Sequence, residues 1–448
     1  MQFAQALGLK DADTIAFVGA GGKTSAMAAL AKELSAPVVM TTTTHLGRWQ
    51  TGIAQKHLIL SSRDKVNKSE IANTNTLLVT GVLDEHDRWG SLSPETLETL
   101  AQVCRECEAF LLIEADGARQ RLIKAPADYE PVIPDWVAHV VVLAGLGGLG
   151  KPLNDDSVHR PAVFSQITGL GLGEAIRVEH VEQLLSSTIG GLKGIPNGAR
   201  RTLFLNQAED AIRQAQGARL AHALEGVYHR VLIGSLMQPE PEGPIFSAHS
   251  RTAGIILAAG GSERLGEPKQ LLAWRGRPFV AQVAETALVA GLDPVIVVTG
   301  AYQPEVETAL VNLPVQCVFN PDWASGQASS LKAGLETLPD DCDRALFLLS
   351  DQPQITVPMV RQLIERHNTV RGPITAPMTR ERRGNPVLFA RETFGALEKV
   401  RGDQGGRAVF NAFKVDYLPW VDERALLDVD RESDLKNLTE YFFVDEVD

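Results

Sequence analysis

Cysteine is scarce in this chain, at 4 of 448 residues. That argues against a disulfide framework: Cys104 and Cys107 form a C-x-x-C, while Cys317 and Cys342 lie far downstream. Long apolar runs are missing as well. Stretches such as Val140–Ala144 and Ile255–Ala259 are strand-length and far short of a bilayer span, so no membrane partner is expected. No basic, then apolar, then small-residue leader opens Met1–Asp13, and a cytoplasmic location is expected. Positive charge is not in excess: 43 Lys and Arg face 55 Asp and Glu, giving a formal net charge of −12. Nonspecific nucleic-acid binding needs a basic surface, so no nucleic-acid partner is expected. A phosphorylated small molecule stays open as a ligand, because a few local cations and N–H groups suffice for it.

What the sequence does have is alternation. Short β-branched runs and helical stretches follow one another almost throughout, which indicates parallel α/β architecture in both halves. Strands are predicted at Thr14–Val18, Val38–Thr42, His57–Leu60, Thr76–Thr80, Phe110–Glu114, His139–Leu143 and Thr202–Asn206. A second series runs through Gly254–Ala258, Pro294–Thr299, Val315–Phe319 and Ala345–Leu349. Helices are predicted at Lys23–Leu34, Pro94–Cys107, Phe279–Ala290 and Pro304–Val311. The length calls for two domains. The Q-P-E-P-E-G-P run from Gln238 breaks both helix and strand. The division is therefore residues 1–237, a linker over 238–251, and residues 252–448.

In the second half, strand Gly254–Ala258 runs into A-A-G-G-S-E-R-L-G-E-P-K, Ala258–Lys269. Small residues at Ala258, Ala259, Gly260, Gly261, Ser262 and Gly266 let backbone N–H groups approach a triphosphate without side-chain clashes. Arg264 and Lys269 are placed to neutralise its charge, one as a planar fork and one as a point charge. Asp351 closes the apolar strand Ala345–Leu349 at the end where α/β sheets place ligands, and a carboxylate there suits Mg²⁺. Asp403 is the candidate second carboxylate for that metal; its other reading is a helix cap.

The run L-A-A-G-G-S-E-R-L-G-E-P-K-Q-L-L resembles the signature of the molybdenum-cofactor nucleotidyltransferases. The likeness continues at Asn320–Leu331, Ser350–Pro353, Arg382–Phe389 and Gly402–Arg407. The resemblance implies a doubly wound, Rossmann-like nucleotidyltransferase domain with Arg264, Lys269 and Asp351 in catalysis. It implies that Gln327, Ser329 and Ser330 touch the nucleotide or the pterin phosphate, and that Asn385 lies near the acceptor. The acceptor so implied is molybdopterin carrying molybdenum. Ala258–Ala259 resembles the cytidylyltransferase branch, which implies CTP. GTP, or a sugar 1-phosphate acceptor, is the enzymatic alternative. A nucleotide-gated chaperone for the cofactor is the non-enzymatic one.

In the first half, strand Thr14–Val18 leads into G-A-G-G-K-T and an alanine-rich helix, the strand–loop–helix setting of a P-loop. Gly19, Gly21 and Gly22 would cradle phosphate, Lys23 would reach the β/γ-phosphates of ATP or GTP, and Thr24 would bind Mg²⁺. The full pattern is not met, since Phe17 stands where its first glycine belongs. Asp116 or Glu114, after strand Phe110–Glu114, is the candidate carboxylate for that metal. Asn206–Glu209, N-Q-A-E, is only faintly like a guanine-reading motif. Together with T-T-T-T-H (Thr41–His45) and the run Lys151–Pro161, these segments resemble the YqeC-like accessory proteins of selenium-dependent molybdenum hydroxylases. That resemblance implies a hydroxylase apoenzyme as partner and a role in selenium cofactor biosynthesis. His45 and His159 are open between ligand contact and packing.

Two motifs mislead. Gly145–Gly150 matches G-x-G-x-x-G, but Lys151-Pro152 and a polar loop follow where a dinucleotide site needs a helix. C-R-E-C at Cys104–Cys107 lies within a helical pattern with no further zinc ligands nearby, which points to ordinary packing.

Overall fold

A computed structural model describes residues 1–9, 12–61, 66–238, 243–261, 267–370, 372–429, 433, 434, 436 and 438. Ser262, Arg264 and Gly266 lie outside the described residues, as do 239–242 of the expected linker. The chain divides into two compact units, Met1–His249 and Ser250–Asp448.

The first unit is built on a nine-stranded sheet. Its strands in chain order are β1 (Thr14–Gly19), β2 (Val38–Thr42), β3 (Lys56–Ile59), β4 (Thr76–Thr80), β5 (Phe110–Glu114), β6 (His139–Gly145), β7 (Arg200–Asn206), β8 (Arg230–Gly234) and β9 (Ile245–His249). Across the sheet they run β9-β8-β7-β6-β1-β5-β2-β4-β3. All neighbours pair in parallel except β9, which lies antiparallel on β8. The central strands β2, β5 and β6 are buried from end to end. That is what a parallel sheet covered on both faces demands, and it explains why they read as unbroken apolar runs. Helix α1 (Lys23–Glu33) packs on one face with Phe17 and Leu112, and α2 (Pro94–Glu106) on the other with Leu111 and Ile113. Ser93 caps α2 by accepting from Thr96 N, with Pro94 opening the first turn.

The expected linker needs correction at its C-terminal end. Residues 245–249 form β9, because Ile245 and Ala248 complete the core cluster around α1. A proline-rich lead-in hid this edge strand from the sequence pattern.

The second unit has β10 (Ala253–Ala258), β11 (Val295–Thr299), β12 (Gln316–Phe319), β13 (Arg344–Leu349), β14 (Ile374–Thr379), β15 (Val387–Ala390) and β16 (Val415–Pro419). The order is β12-β11-β10-β13-β15-β14, with β16 beside β14. Only β15 among these runs antiparallel to its neighbours. After β12 the chain returns to the opposite side of β10, so the switch of direction falls at β10, where α/β sheets open a crevice. Among the described residues no helix is long and apolar enough to cross a membrane.

Candidate functional site

In the first unit β1 delivers its loop to the C-terminal edge of the sheet. Gly19, Gly21 and Gly22 have φ of 89°, 87° and 121°, backbone that L side chains rarely adopt. The loop is held from three sides: Ala20 N donates to Leu143 O, Gly21 N to Arg121 O, and Asn206 Nδ2 to Gly21 O at 2.6 Å. Asn206 thus serves the loop itself. The first turn of α1 follows, where the N–H groups have no intrahelical acceptor.

Lys23 is buried and folded back. Its Nζ donates to Gly19 O at 2.7 Å and pairs with Asp116 at 3.1 Å and Glu114 at 4.0 Å. Burial alone would lower its pKa, but Asp116 and Glu114 outweigh burial and hold the ammonium above its ordinary value. Thr24 Oγ1 donates to Glu114 Oε2 at 2.8 Å and accepts from Gln50 Nε2 at 2.6 Å. Burial pushes the Glu114 carboxyl up, with Lys23 and the Thr24 hydroxyl working against that shift. Of the two carboxylates the sequence offered, Glu114 is therefore the one on Thr24.

Asp116 is engaged elsewhere. It accepts from Gly19 N at 3.0 Å and pairs with both Lys23 and Lys124, the latter at 2.8 Å. Lys124 also meets Glu130 at 2.9 Å, and Glu130 meets Arg160 at 2.5 Å. A chain of alternating charge therefore leads from the glycine loop to Arg160. Gln50, Lys124 and Glu130 escaped sequence reasoning because each stands alone in its local stretch, and Arg160 was not singled out within the Lys151–Pro161 run; only the fold brings them together.

Lys23, Thr24, Gln50, Glu114, Glu130 and Arg160 line a cleft of about 1310 Å³ that also takes in His45, Arg119, Tyr129 and His159, while Asp116 and Lys124 sit behind it. His45 sits 3.6 Å from Asp84. The His159 pKa is pushed down to about 4, by burial first and then by Arg160 and Lys124. After β6 the Gly145–Gly150 run makes one short 3-10 turn, Leu146–Gly148, and no α-helix opens. Cys104 is buried on α2, where burial pushes its thiol up to about 12. Neither decoy forms a site.

In the second unit β10 and β13 pair with Leu257 opposite Leu349. Ala258 and Ala259 therefore leave the sheet beside Ser350 and Asp351, whose side chain is partly exposed. On the other flank Ala301 N donates to Ala259 O, and Tyr302 OH donates to Gly261 O. Lys269 opens a 3-10 turn, Lys269–Leu271, whose Gln270 reaches back to Gly260 O at 3.1 Å.

Asn320 donates to the hydroxyls of Ser329 and Ser330 at 2.8 and 3.1 Å, fixing the start of α3 (Gln327–Glu336). Gly326, at φ 110°, lies so close to the Gly402 loop that a Cβ would stand 2.4 Å from the Gly402 carbonyl carbon. Ala328 N donates to Gly402 O at 3.0 Å. The fold thus gathers Gln327, Ser329, Ser330 and exposed Asp403 at one place. Asn385 is partly buried in the turn before β15.

Fold and loops define a two-unit α/β protein in which a small-residue stretch follows the first sheet strand of each unit. Residues 15–162 match the model of the YqeC protein family, and residues 254–417 that of the MobA-like NTP transferase domain. The chain is 32% identical over 212 residues to the uncharacterized protein YqeC of Escherichia coli (strain K12), covering 45% of this chain and 80% of that one. It is 37% identical over 187 residues to nicotine blue oxidoreductase of Paenarthrobacter nicotinovorans, covering 40% of this chain and 91% of that one. It is 28% identical over 117 residues to the "probable molybdenum cofactor guanylyltransferase" of Bacillus cereus (strain Q1), covering 26% of this chain and 57% of that one. The chain belongs to the YqeC family through its N-terminal unit and carries a MobA-like nucleotidyltransferase domain at its C-terminus.

Proposed function

We propose that the C-terminal unit transfers CMP from CTP to the phosphate of molybdopterin carrying molybdenum, in the maturation of a molybdenum hydroxylase. The observation that carries this reading is the exit of Ala258–Ala259 and Asp351 from adjacent parallel strands at the switch of the sheet. A triphosphate on the small-residue loop would lie beside a carboxylate there. Asp351 and Asp403 are the residues that would hold Mg²⁺, whose preference for hard oxygen donors they match. When bound, that ion neutralises phosphate charge.

In this reading Arg264 and Lys269 offset the triphosphate charge, and Gln327, Ser329, Ser330 and Asn385 orient the reactants. An oxygen of the acceptor phosphate attacks the α-phosphorus, and the bond to the β-phosphate oxygen breaks as pyrophosphate leaves. The protein needs no nucleophile of its own, so positioning and electrostatics do the catalysis. Similarity to molybdenum cofactor guanylyltransferases supports the acceptor class. Ala259 is the support for CTP over GTP.

For the N-terminal unit the reading is a nucleotide site at Gly19–Thr24, with Glu114 beside Thr24 as the metal carboxylate in place of Asp116. Its role would be in selenium or sulfur insertion, or as a nucleotide-gated dock for the hydroxylase apoenzyme.

The test incubates the full chain and Mg²⁺ with α-labelled CTP or GTP and the molybdenum-loaded pterin. CMP transfer that falls at least about a hundredfold in Asp351→Asn is expected. Absence of transfer from CTP, or full transfer by Asp351→Asn, overturns the reading. The 37% identity to nicotine blue oxidoreductase favours one rival, an oxidoreductase acting on a compound of the nicotine blue type. A redox change of nicotine blue on the full chain with a supplied electron donor, without nucleotide transfer, would select it.

A further inference from the structure

The N-terminal cleft is larger than one ligand needs. Small-molecule pockets commonly enclose about 300–1,000 Å³, against about 1310 Å³ here. The wall beyond the glycine loop is basic and is held in strained backbone. Arg119, Gln120 and Arg160 all line the cleft, and all have positive φ, at 46°, 60° and 65°. Non-glycine residues in that region are uncommon and are kept where the surroundings enforce them.

The charge on this wall is not used up. Among the described residues no carboxylate pairs with Arg119, while Arg160 shares Glu130 with Lys124. The wall also carries an aromatic face. Tyr129 is 74% exposed, its hydroxyl accepts from Arg160 Nη2 at 3.2 Å, and the guanidinium stands 5.8 Å from the ring centroid. An exposed ring next to Arg119, and next to an Arg160 whose carboxylate is shared with a second cation, suits a planar ring that bears an anionic group. The turn holding Arg119 is tied to the glycine loop, since Arg121 N donates to Ala118 O and Gly21 N to Arg121 O. A ligand on this wall would therefore lie next to whatever the loop binds.

We propose that Arg119, Arg160 and Tyr129 form a second subsite, distinct from the glycine loop, which takes a phosphorylated planar heterocycle alongside the nucleotide. This rests on the phosphate-binding reading of Gly19–Thr24 only for the word alongside; the subsite has its own residues. The probe is FMN, a phosphorylated planar ring whose fluorescence reports stacking, titrated into the full chain with and without saturating ATP and Mg²⁺. Riboflavin serves as the probe without phosphate.

FMN is expected to bind in both conditions and riboflavin roughly tenfold more weakly. Arg119→Gln and Arg160→Gln should each weaken FMN by roughly tenfold, and Tyr129→Ala should abolish most of the quenching. Arg119→Gln is the decisive variant, because it breaks no ion pair and so leaves the fold intact. FMN binding that ATP displaces, that matches riboflavin, or that is unchanged in Arg119→Gln overturns the proposal, as does no FMN binding. A chain that binds FMN but not ATP refutes the glycine-loop reading and leaves the subsite standing.

Discussion

Thr24 and Glu114 share a 2.8 Å hydrogen bond across 90 positions of sequence, joining the start of α1 to the end of β5. The bond aligns a hydroxyl and a carboxylate beside the glycine loop, two oxygen donors suited to a divalent cation. In Glu114→Gln, Mg²⁺-dependent binding of ATP should weaken by roughly tenfold, with metal-free binding nearly unchanged. Equilibrium titration with and without Mg²⁺ checks this, and equal losses in both conditions would contradict it.

Asp116 has a different task. It is 2% exposed and balances two buried ammonium groups, Lys23 and Lys124. Removing one partner of a buried pair strands the other, at about 3–5 kcal/mol. Asp116→Ala should lose stability on that scale in urea unfolding of the N-terminal unit. A loss under about 1 kcal/mol would show that water replaces the carboxylate.

His159 predicts a pH dependence. Its pKa falls from 6.5 to about 4 in the fold, through burial and then the nearby Arg160 and Lys124. The unfolded chain therefore binds the proton more readily between those values, so this group withdraws stability as pH falls from 6.5 through about 4. The melting temperature of His159→Gln should track the wild type above pH 7 and overtake it below about pH 6. Parallel curves across the whole range would refute the assignment.

Gly326 gives a prediction for the second unit. Alanine there meets both a φ of 110° and a Cβ 2.4 Å from the Gly402 carbonyl carbon. Gly326→Ala should cost roughly 1–3 kcal/mol for the backbone alone and push the Gly402 loop from α3. Nucleotide transfer should fall more than stability does. Unaltered transfer kinetics would show that this contact does not organise the site.

Much of the frame was legible beforehand. Strands Val38–Thr42, Thr76–Thr80 and Phe110–Glu114 stand where their apolar runs put them. Strands β14 and β16 were not legible, since Pro377 interrupts the first and Pro419 closes the second, and β9 was hidden behind the prolines of the linker. Edge and mixed-direction strands tolerate such residues because part of their hydrogen bonding is optional.

For this protein the sequence by itself determined the two α/β units and the placing of a small-residue loop after the first strand of each. Those features depend on residues adjacent in the chain: periodicity, glycine φ, and a cation at fixed spacing. Only the tertiary structure decided which carboxylate serves Thr24, that Asp116 is occupied by two lysines, and that Asn206 secures the glycine loop. It also brought Arg119, Tyr129 and Arg160 to the lining of one cleft. Those pairings join residues tens of positions apart, and their partners are chosen by strand order and burial, where an unpaired charge is too costly to persist.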